Sequence, residues 1–297
     1  MEPPQRCVVH KRYVLSAHIG SGSFGTIFRG RDEQTGKDVA AKIEEEGVKD
    51  PRLRHEAAVM RSMQGHRGFP ELLWFGRHGG HLVLVMNLLG PSLHDLVDHT
   101  HGRFSLPTVL QLVCPMLYRL EALHMAGYLH RDLKPDNFVM GMGSSANDLT
   151  LIDFGLSTRW RERDGTIVPP CEGRGFVGTM RFVSGNVHRG LRQARRDDVE
   201  SLAWVLVWLL KGRLPWQGIR RPSESERRAE VARRKNEMSV GEICRGLPGE
   251  FEDMVRHARG LAFEEQPDYS GLRRRFRALA KRTGVVMNHV YDWTPKQ

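Results

Sequence analysis

The stretch His130-Arg131-Asp132-Leu133-Lys134-Pro135-Asp136-Asn137, HRDLKPDN, decides how the rest of the chain is read. Asp132 can accept a proton from a hydroxyl nucleophile or orient it. Lys134 can neutralise charge on a phosphoryl group in transfer, and Asn137 offers an amide oxygen to a divalent cation. Phosphoryl transfer depends on positioning and charge stabilisation more than on covalent chemistry, so these residue types at this spacing suit it. Chance agreement over so long a string is improbable, unlike agreement with a three-letter motif.

Downstream, the β-type run LTLI leads into Asp153-Phe154-Gly155, whose carboxylate suits a hard cation such as Mg²⁺. Upstream, Val39-Ala40-Ala41-Lys42 places a lysine late in an alternating strand, where an inward ammonium needs an anion. Glu56 on the following helix is the candidate partner; the ordinary reading is a surface lysine. Nearer the start, Gly20-x-Gly22-x-x-Gly25-x-Ile27 permits close backbone approach to phosphate oxygens. The same letters occur in dinucleotide-binding turns, but those open a helix, and strand-like TIFRG follows here. A plain hairpin glycine cluster is the competing reading.

The texture around these motifs changes once. YVLSAHIG, TIFRGRD and KDVAAKIE read as short strands, and PRLRHEAAVMRSMQG as a helix ended by Gly65. LLWFGRHGGHLVLVMN reads as a hairpin turning at Gly79-Gly80. After Gly90-Pro91 the chain becomes helical. SLPTVLQLVCPMLYRLEALHMAG is a helix in which Pro115 predicts a kink or a break. RRDDVESLAWVLVWLLKG is a helix with an Asp cap, apolar all round and therefore buried. The expectation is an α+β chain in two lobes: a strand-rich part over about 10–88, a hinge at about 88–92 and a larger helical part over about 93–293.

Composition agrees with a folded catalytic or binding domain. The 297 residues are 40% hydrophobic, enough for a core and too apolar for a disordered chain. The longest apolar run, Leu202 to Leu210, is far short of the ~20 residues that span a bilayer, so no membrane association is expected. The four scattered cysteines form no Cys-x-x-Cys pair, which argues against a zinc site or a disulfide framework. The net charge of +10 predicts attraction to something anionic. The densest cluster, LRRRFRALAKR, reads more simply as a solvated helix face than as a nucleic-acid patch, so nucleic acid is set aside as a partner.

Glycine loop, lysine, glutamate, HRD, asparagine and DFG stand in the order a protein kinase requires. The chain resembles the eukaryotic protein kinases, and more narrowly the casein kinase 1 family. LLGPSLHDL, HRDLKPDNFVMGMG, GTMRFVSGNVH, RRDDVESLAWVL, LPWQG, PDYSGLRRRF and YDW carry that likeness. A weaker similarity to tau-tubulin kinases lies around VPPCEGRGF. Most kinases close the activation segment with Ala-Pro-Glu; casein kinase 1 enzymes have Ser-Ile-Asn, and this chain has Ser184-Gly185-Asn186. Gly185 departs from the family and predicts that the loop after it is less fixed, since glycine is more flexible and adds no packing.

The resemblance implies a bilobal kinase fold and a Ser/Thr kinase that uses ATP and Mg²⁺, with Asp132, Lys134, Asn137, Lys42 and Glu56 catalytic and Asn137 and Asp153 on the metal. It implies a glycine loop over the nucleotide (Ile19, Gly20, Ser21, Gly22, Ser23, Phe24, Gly25, Thr26, Ile27). Ile19, Ile27, Ala40, Val139 and Ile152 would sandwich the adenine, with Met86 as gatekeeper, Leu89 at the hinge and Asp95 on the ribose. Asp198 resembles the aspartate that braces the catalytic loop, or is simply a helix cap. Arg181 would read an acidic or phosphorylated residue N-terminal to the acceptor, or pair with an acid inside its own segment. A second cation comes from the stretch Ile219 to Arg228; Arg220, Arg227, Arg221 and Arg228 are candidates. Protein substrates, a monomer and a cytoplasmic or nuclear location follow from the same likeness. The rival class is a kinase-shaped scaffold (pseudokinase).

Overall fold

The computed structural model describes residues 7–22, 25–45 and 52–295. They form two compact units, one reaching to Gly90 and joined by Val139–Leu156, the other made of Pro91–Phe138 and the chain from Ser157 onward.

In the first unit β1 (Cys7–Val9), β2 (Tyr13–Gly22), β3 (Gly25–Asp32), β4 (Asp38–Glu45), β5 (Leu72–His78) and β6 (His81–Asn87) make one antiparallel sheet in the order β1-β2-β3-β4-β6-β5. The expected strands and the Gly79-Gly80 hairpin are all there. Alternation sorts the two faces. Tyr13, Leu15, Phe28, Val39, Ala41, Val83 and Val85 pack together on one face. On the other, the register sets Ile27 beside Lys42 and Ala40 beside Met86.

The helix α1 (Arg52–Ser62) lies against β5 and β6 through Leu53, Ala57 and Met60. It has no acidic residue in its first turn. The buried carboxylate of Glu44 on β4 instead accepts the N–H groups of Arg52 (3.1 Å) and Leu53 (3.3 Å), satisfying donors that a helix start leaves open.

The second unit contains α2 (Leu93–His99), α3 (Leu106–Met125) and β7 (Tyr128–Leu129). The pair β8 (Phe138–Met140) and β9 (Leu149–Leu151) then carries the chain through the first unit. After β10 (Thr158–Arg159), which pairs with β7, come α4 (Gly185–His188), α5 (Arg195–Lys211), α6 (Glu224–Glu237), α7 (Val240–Cys244), α8 (Gly249–Gly260) and α9 (Tyr269–Arg282). As expected, α5 is buried on nearly every side, between α3 and α8.

Of the kink or break expected at Pro115, the break does not occur: the helix α3 runs unbroken through Pro115 for 20 residues. A proline costs a helix interior about 3 kcal/mol, and the burial of Val109, Leu112, Val113, Met116, Leu117 and Leu120 outweighs it. The aspartate that caps α5 acts from the third helical position rather than from the N-cap. The N-cap is Ala194, whose N–H is accepted from inside the helix by Asp197 (2.7 Å). Among the described residues no helix is long and apolar enough to cross a membrane, and the four cysteines are free.

Candidate active site

The first unit carries a buried ionic cluster. Lys42 Nζ donates to Glu56 Oε2 at 2.7 Å and to Asp153 Oδ1 at 3.1 Å. Lys42 is 6% exposed and Glu56 2%, so the surface-lysine reading is wrong. Burial disfavours the Lys42 ammonium, but the two carboxylates more than offset this and hold its pKa above the ordinary value. Glu56 also accepts the backbone N–H of Phe154, which ties the helix to the DFG turn. Asp153 has φ +65°, an uncommon conformation for a non-glycine residue and a form of strain that concentrates at functional sites.

Ile27, Ala40 and Met86 share the sheet face of Lys42. Val139, Ile152, Leu89 and the half-exposed Ile19 belong to the same unit. The glycine loop is the β2–β3 hairpin, with Gly20 opposite Ile27, Ser21 opposite Thr26 and Gly22 opposite Gly25. A strand follows it, which excludes the dinucleotide arrangement. Gly25 has φ +133°, and a Cβ there would lie 2.4 Å from the Ile43 carbonyl oxygen, so only glycine fits. Ser23 and Phe24, expected in the phosphate cradle, lie outside the described residues.

The second unit carries the HRDLKPDN loop. Asp132 is 6% exposed. Its Oδ2 accepts from Lys134 Nζ (2.8 Å) and its Oδ1 from the Thr179 hydroxyl (2.6 Å). Asn137, 3% exposed, donates from Nδ2 to the Asp132 carbonyl (2.8 Å). Asp198 braces this loop, accepting the N–H groups of His130 (2.7 Å) and Arg131 (2.9 Å) and the His124 ring (2.9 Å). Burial alone would raise the Asp198 pKa, but these donors carry it below the usual carboxylate range. Arg131 is held at φ +68°. Gly178, at φ +108°, touches the loop so closely that a Cβ would sit 2.4 Å from the Arg131 carbonyl oxygen. Asp95 sits at the start of α2, where its Oδ2 accepts the N–H (2.9 Å) and hydroxyl (2.7 Å) of Ser92; the structure thus gives it a capping role.

The Ser184-Gly185-Asn186 turn is pinned, contrary to the looseness expected after Gly185. Ser184 Oγ and Asn186 Nδ2 both donate to Asp197 Oδ1, at 2.6 and 2.8 Å. Gly185 is buried, and a Cβ there would lie 3.3 Å from Asn236 Oδ1 on α6. Asn236 thus occupies the space that a larger side chain would need.

Arg181 makes no hydrogen bond or ion pair through its side chain among the described residues. The acid-pairing reading therefore fails. Its guanidinium stands over the rings of Phe182 (5.6 Å) and Trp208 (5.9 Å). Burial lowers its pKa, opposed by the charge of Asp136. Arg181 and Arg227 line one cavity of about 470 Å³, with Trp216 and Gln217. Arg227 is paired with Glu224 at 2.5 Å. Arg220 and Arg221 do not line it, nor does Arg228, which stacks on Phe176 (4.3 Å).

The loop bearing Arg181 is clamped by a residue that sequence reasoning missed. Lys235 Nζ donates to the carbonyls of Met180 (3.0 Å) and Val183 (2.6 Å), and Trp216 Nε1 donates to that of Arg181 (2.7 Å). The signal was present: Lys235 follows Val231 by one helical turn on the buried face of the otherwise charged α6. Burial pushes the Lys235 pKa down to about 7, opposed by Glu200 and reinforced by Arg259. Glu200 is itself paired with Arg259 at 3.1 Å. The neutral ring of His188 on α4 and the Arg228 guanidinium complete the charged surroundings.

The unfolded chain keeps this proton up to the ordinary 10.5, so between about 7 and 10.5 it binds more protons than the folded chain. The stability that Lys235 contributes therefore rises with pH through that window and is lost as pH falls to 7. Thermal melts at pH 7, 8 and 9 should show the wild type gaining on Lys235→Met by about 1 kcal/mol per pH unit. Parallel curves for the two proteins would contradict a depressed Lys235 pKa.

Among the described residues no group of three or more His, Cys, Asp or Glu could hold a metal by itself. That accords with Mg²⁺, which is usually bound through one or two carboxylates plus the phosphates of a nucleotide. Asn137 in the second unit and Asp153 in the first each carry an oxygen donor of the right hardness. The family model for the protein kinase domain matches residues 13–256. That span takes in the glycine loop, the Lys42–Glu56 pair, the catalytic loop, the DFG turn and the Arg181 cavity. The chain belongs to the protein kinase family.

Proposed function

We propose that the chain is an active serine/threonine kinase of the casein kinase 1 type. It transfers the γ-phosphoryl group of ATP to Ser or Thr in protein segments with an acidic or phosphorylated residue N-terminal to the acceptor. Protein kinases act on proteins with ATP and Mg²⁺; the finer reading rests on one observation above all. Arg181 is an unpaired guanidinium in a cavity shared with Arg227, on a loop whose carbonyls are clamped from behind. A planar donor fork held open in this way suits phosphate or carboxylate.

In this reading Asp132 takes or orients the acceptor hydroxyl proton, and Lys134 keeps positive charge beside it. Lys42, oriented by Glu56, holds nucleotide phosphates, and Asp95 offers its carboxylate to the ribose. Asn137 and Asp153 would hold Mg²⁺, which supplies charge neutralisation to the phosphates. The glycine loop and the apolar residues Ile19, Ile27, Ala40, Met86, Val139 and Ile152 receive the nucleotide, with Leu89 giving a backbone contact. The intact set of catalytic positions argues against a scaffold. Ser184 is fully buried and bonded to Asp197, so obligatory phosphorylation there is not expected. A monomer in the cytoplasm or nucleus completes the proposal.

Arg181→Ala should lower kcat/KM on a phosphoserine-primed peptide by about 10–100-fold, the worth of a charge-assisted hydrogen-bonded contact. Loss on a neutral peptide should be small. Equal losses on both peptides in a steady-state assay would remove the anion-reading role while leaving the kinase assignment untouched.

A further inference from the structure

The arginines of the second unit are mostly spoken for. Arg233 pairs with Glu230 and Glu237, Arg256 with Glu252, Arg275 with Asp253 and Arg282 with Glu250. Arg103, Arg213 and Arg245 differ. All three are exposed, and none makes a side-chain hydrogen bond, ion pair or ring contact among the described residues.

They come together at one place. Two cavities, of about 1040 and 570 Å³, share Arg103, Leu210 and Leu247 as lining residues and so form one groove. Arg213, Arg245 and Lys211 line the smaller part, which has no acidic residue in its wall. The larger part has one carboxylate, Asp292, already engaged by the N–H and hydroxyl of Ser105, both at 2.6 Å. The arrangement is built into the fold. At the end of α5, Gly212 has φ +71°, and a Cβ there would lie 2.5 Å from the Gly102 carbonyl oxygen. Phe104 N–H donates to the Leu209 carbonyl (2.6 Å). This contact holds Arg103 beside the Lys211–Arg213 turn. Lys211 donates to the Ile243 carbonyl (2.7 Å) at the end of α7, next to Arg245. Burial, with the charge of Arg245 added, lowers its pKa.

The groove therefore pairs an apolar floor, Leu210 and Leu247, with a rim of cations that make no hydrogen bond or ion pair to an acid among the described residues, the charge of Arg245 being felt by Glu242. Val290, 55% exposed, extends the apolar surface along the larger part. A bare phosphate would use neither the length nor the floor. A nucleic-acid strand would want large aromatic rings to stack on; Phe104 and Tyr291 are only 2% and 6% exposed, and the exposed rings of the groove are the imidazoles of His99 and His101. None of the lining residues belongs to the Arg181 cavity.

We propose that this groove docks an extended segment of a partner protein in which acidic and apolar side chains alternate. The carboxylates would meet Arg103, Arg213 and Arg245, and the apolar side chains Leu210 and Leu247. Successive side chains of an extended peptide point opposite ways, so one strand presents acids to the rim and apolar groups to the floor. Docking of this kind is separate from reading charge next to the acceptor residue.

A fluorescein-labelled peptide of alternating Glu and Leu, free of Ser and Thr, tests this by anisotropy on the full chain. Binding is expected to weaken with added salt and to fall at least about tenfold in R103E/R213E/R245E, where like charges face the ligand. It should be retained in Arg181→Ala, and the Gln-for-Glu peptide should bind poorly. The kcat/KM of the triple variant on a short neutral peptide should match the wild type, which shows that it is folded. Equal affinity in wild type and triple variant overturns the proposal. So does loss of binding in Arg181→Ala instead, which would place the peptide in the substrate cavity. Tighter binding of a single-stranded oligonucleotide than of the peptide at the same salt would also overturn it, in favour of nucleic acid.

Discussion

Asp132→Asn is expected to slow phosphoryl transfer by about 10²–10⁴-fold, the range for removing a positioned general base, with nucleotide affinity largely kept. The geometry explains why the substitution is selective. Asp132 holds Lys134 through one oxygen and Thr179 through the other. An asparagine retains a carbonyl for Lys134, and its amide can donate to the Thr179 hydroxyl oxygen. The loop is braced separately by Asp198 and by the Asn137–Asp132 bond, so its shape survives. What is lost is the negative charge and the capacity to take a proton. Single-turnover assays with radiolabelled ATP, beside fluorescent-nucleotide titrations, check both halves. Wild-type turnover in Asp132→Asn would refute the assignment.

Lys42→Met is the second large effect, and it separates stability from chemistry. The substitution leaves Glu56 buried without its cation, beside Asp153. Removing one partner of a buried pair destabilises by about 3–5 kcal/mol. The double variant Lys42→Met/Glu56→Gln removes the orphaned charge and is expected to recover most of that loss. It should not recover activity, because the ammonium that we propose holds nucleotide phosphates is still missing. Urea melts therefore rank wild type close to the double variant and both above the single, while kinase assays leave both variants inactive. If the double variant melts with the single, burial of Glu56 is not the source of the instability. If it phosphorylates substrate at the wild-type rate, Lys42 has no part in transfer.

Much of this molecule was legible because its chemistry lies in contiguous strings. HRDLKPDN, the DFG triplet, the glycine spacing and the lysine late in a strand each need few neighbours to be recognised, and the strand and helix patterns around them carried the α+β class. The reading failed where a local rule met a tertiary environment. Pro115 predicts a kink or a break, yet α3 does not break, because its burial outweighs one missing N–H. The aspartates opening α5 look like caps, but Asp197 also ties down Ser184 and Asn186 and Asp198 holds the HRDLKPDN loop. Gly185 reads as a loose point until Asn236 is found filling its space. The pairing between residues far apart in sequence leaves no periodicity to read.

From sequence alone came the order of the kinase motifs, the proposal that Arg181 reads substrate charge and the presence of a basic stretch after Trp216. The tertiary structure decided which cations are free. A guanidinium is the same letter whether it faces a carboxylate or solvent, and its availability depends on what other segments bring within hydrogen-bond reach. That is why Arg227, in the wall of the Arg181 cavity, is already paired with Glu224 while Arg181 is not paired with an acid. It is also why Lys235 emerges as a buried clamp, and why Arg103, Arg213 and Arg245, widely spaced in the chain, form one rim with no ion-paired acid among the described residues.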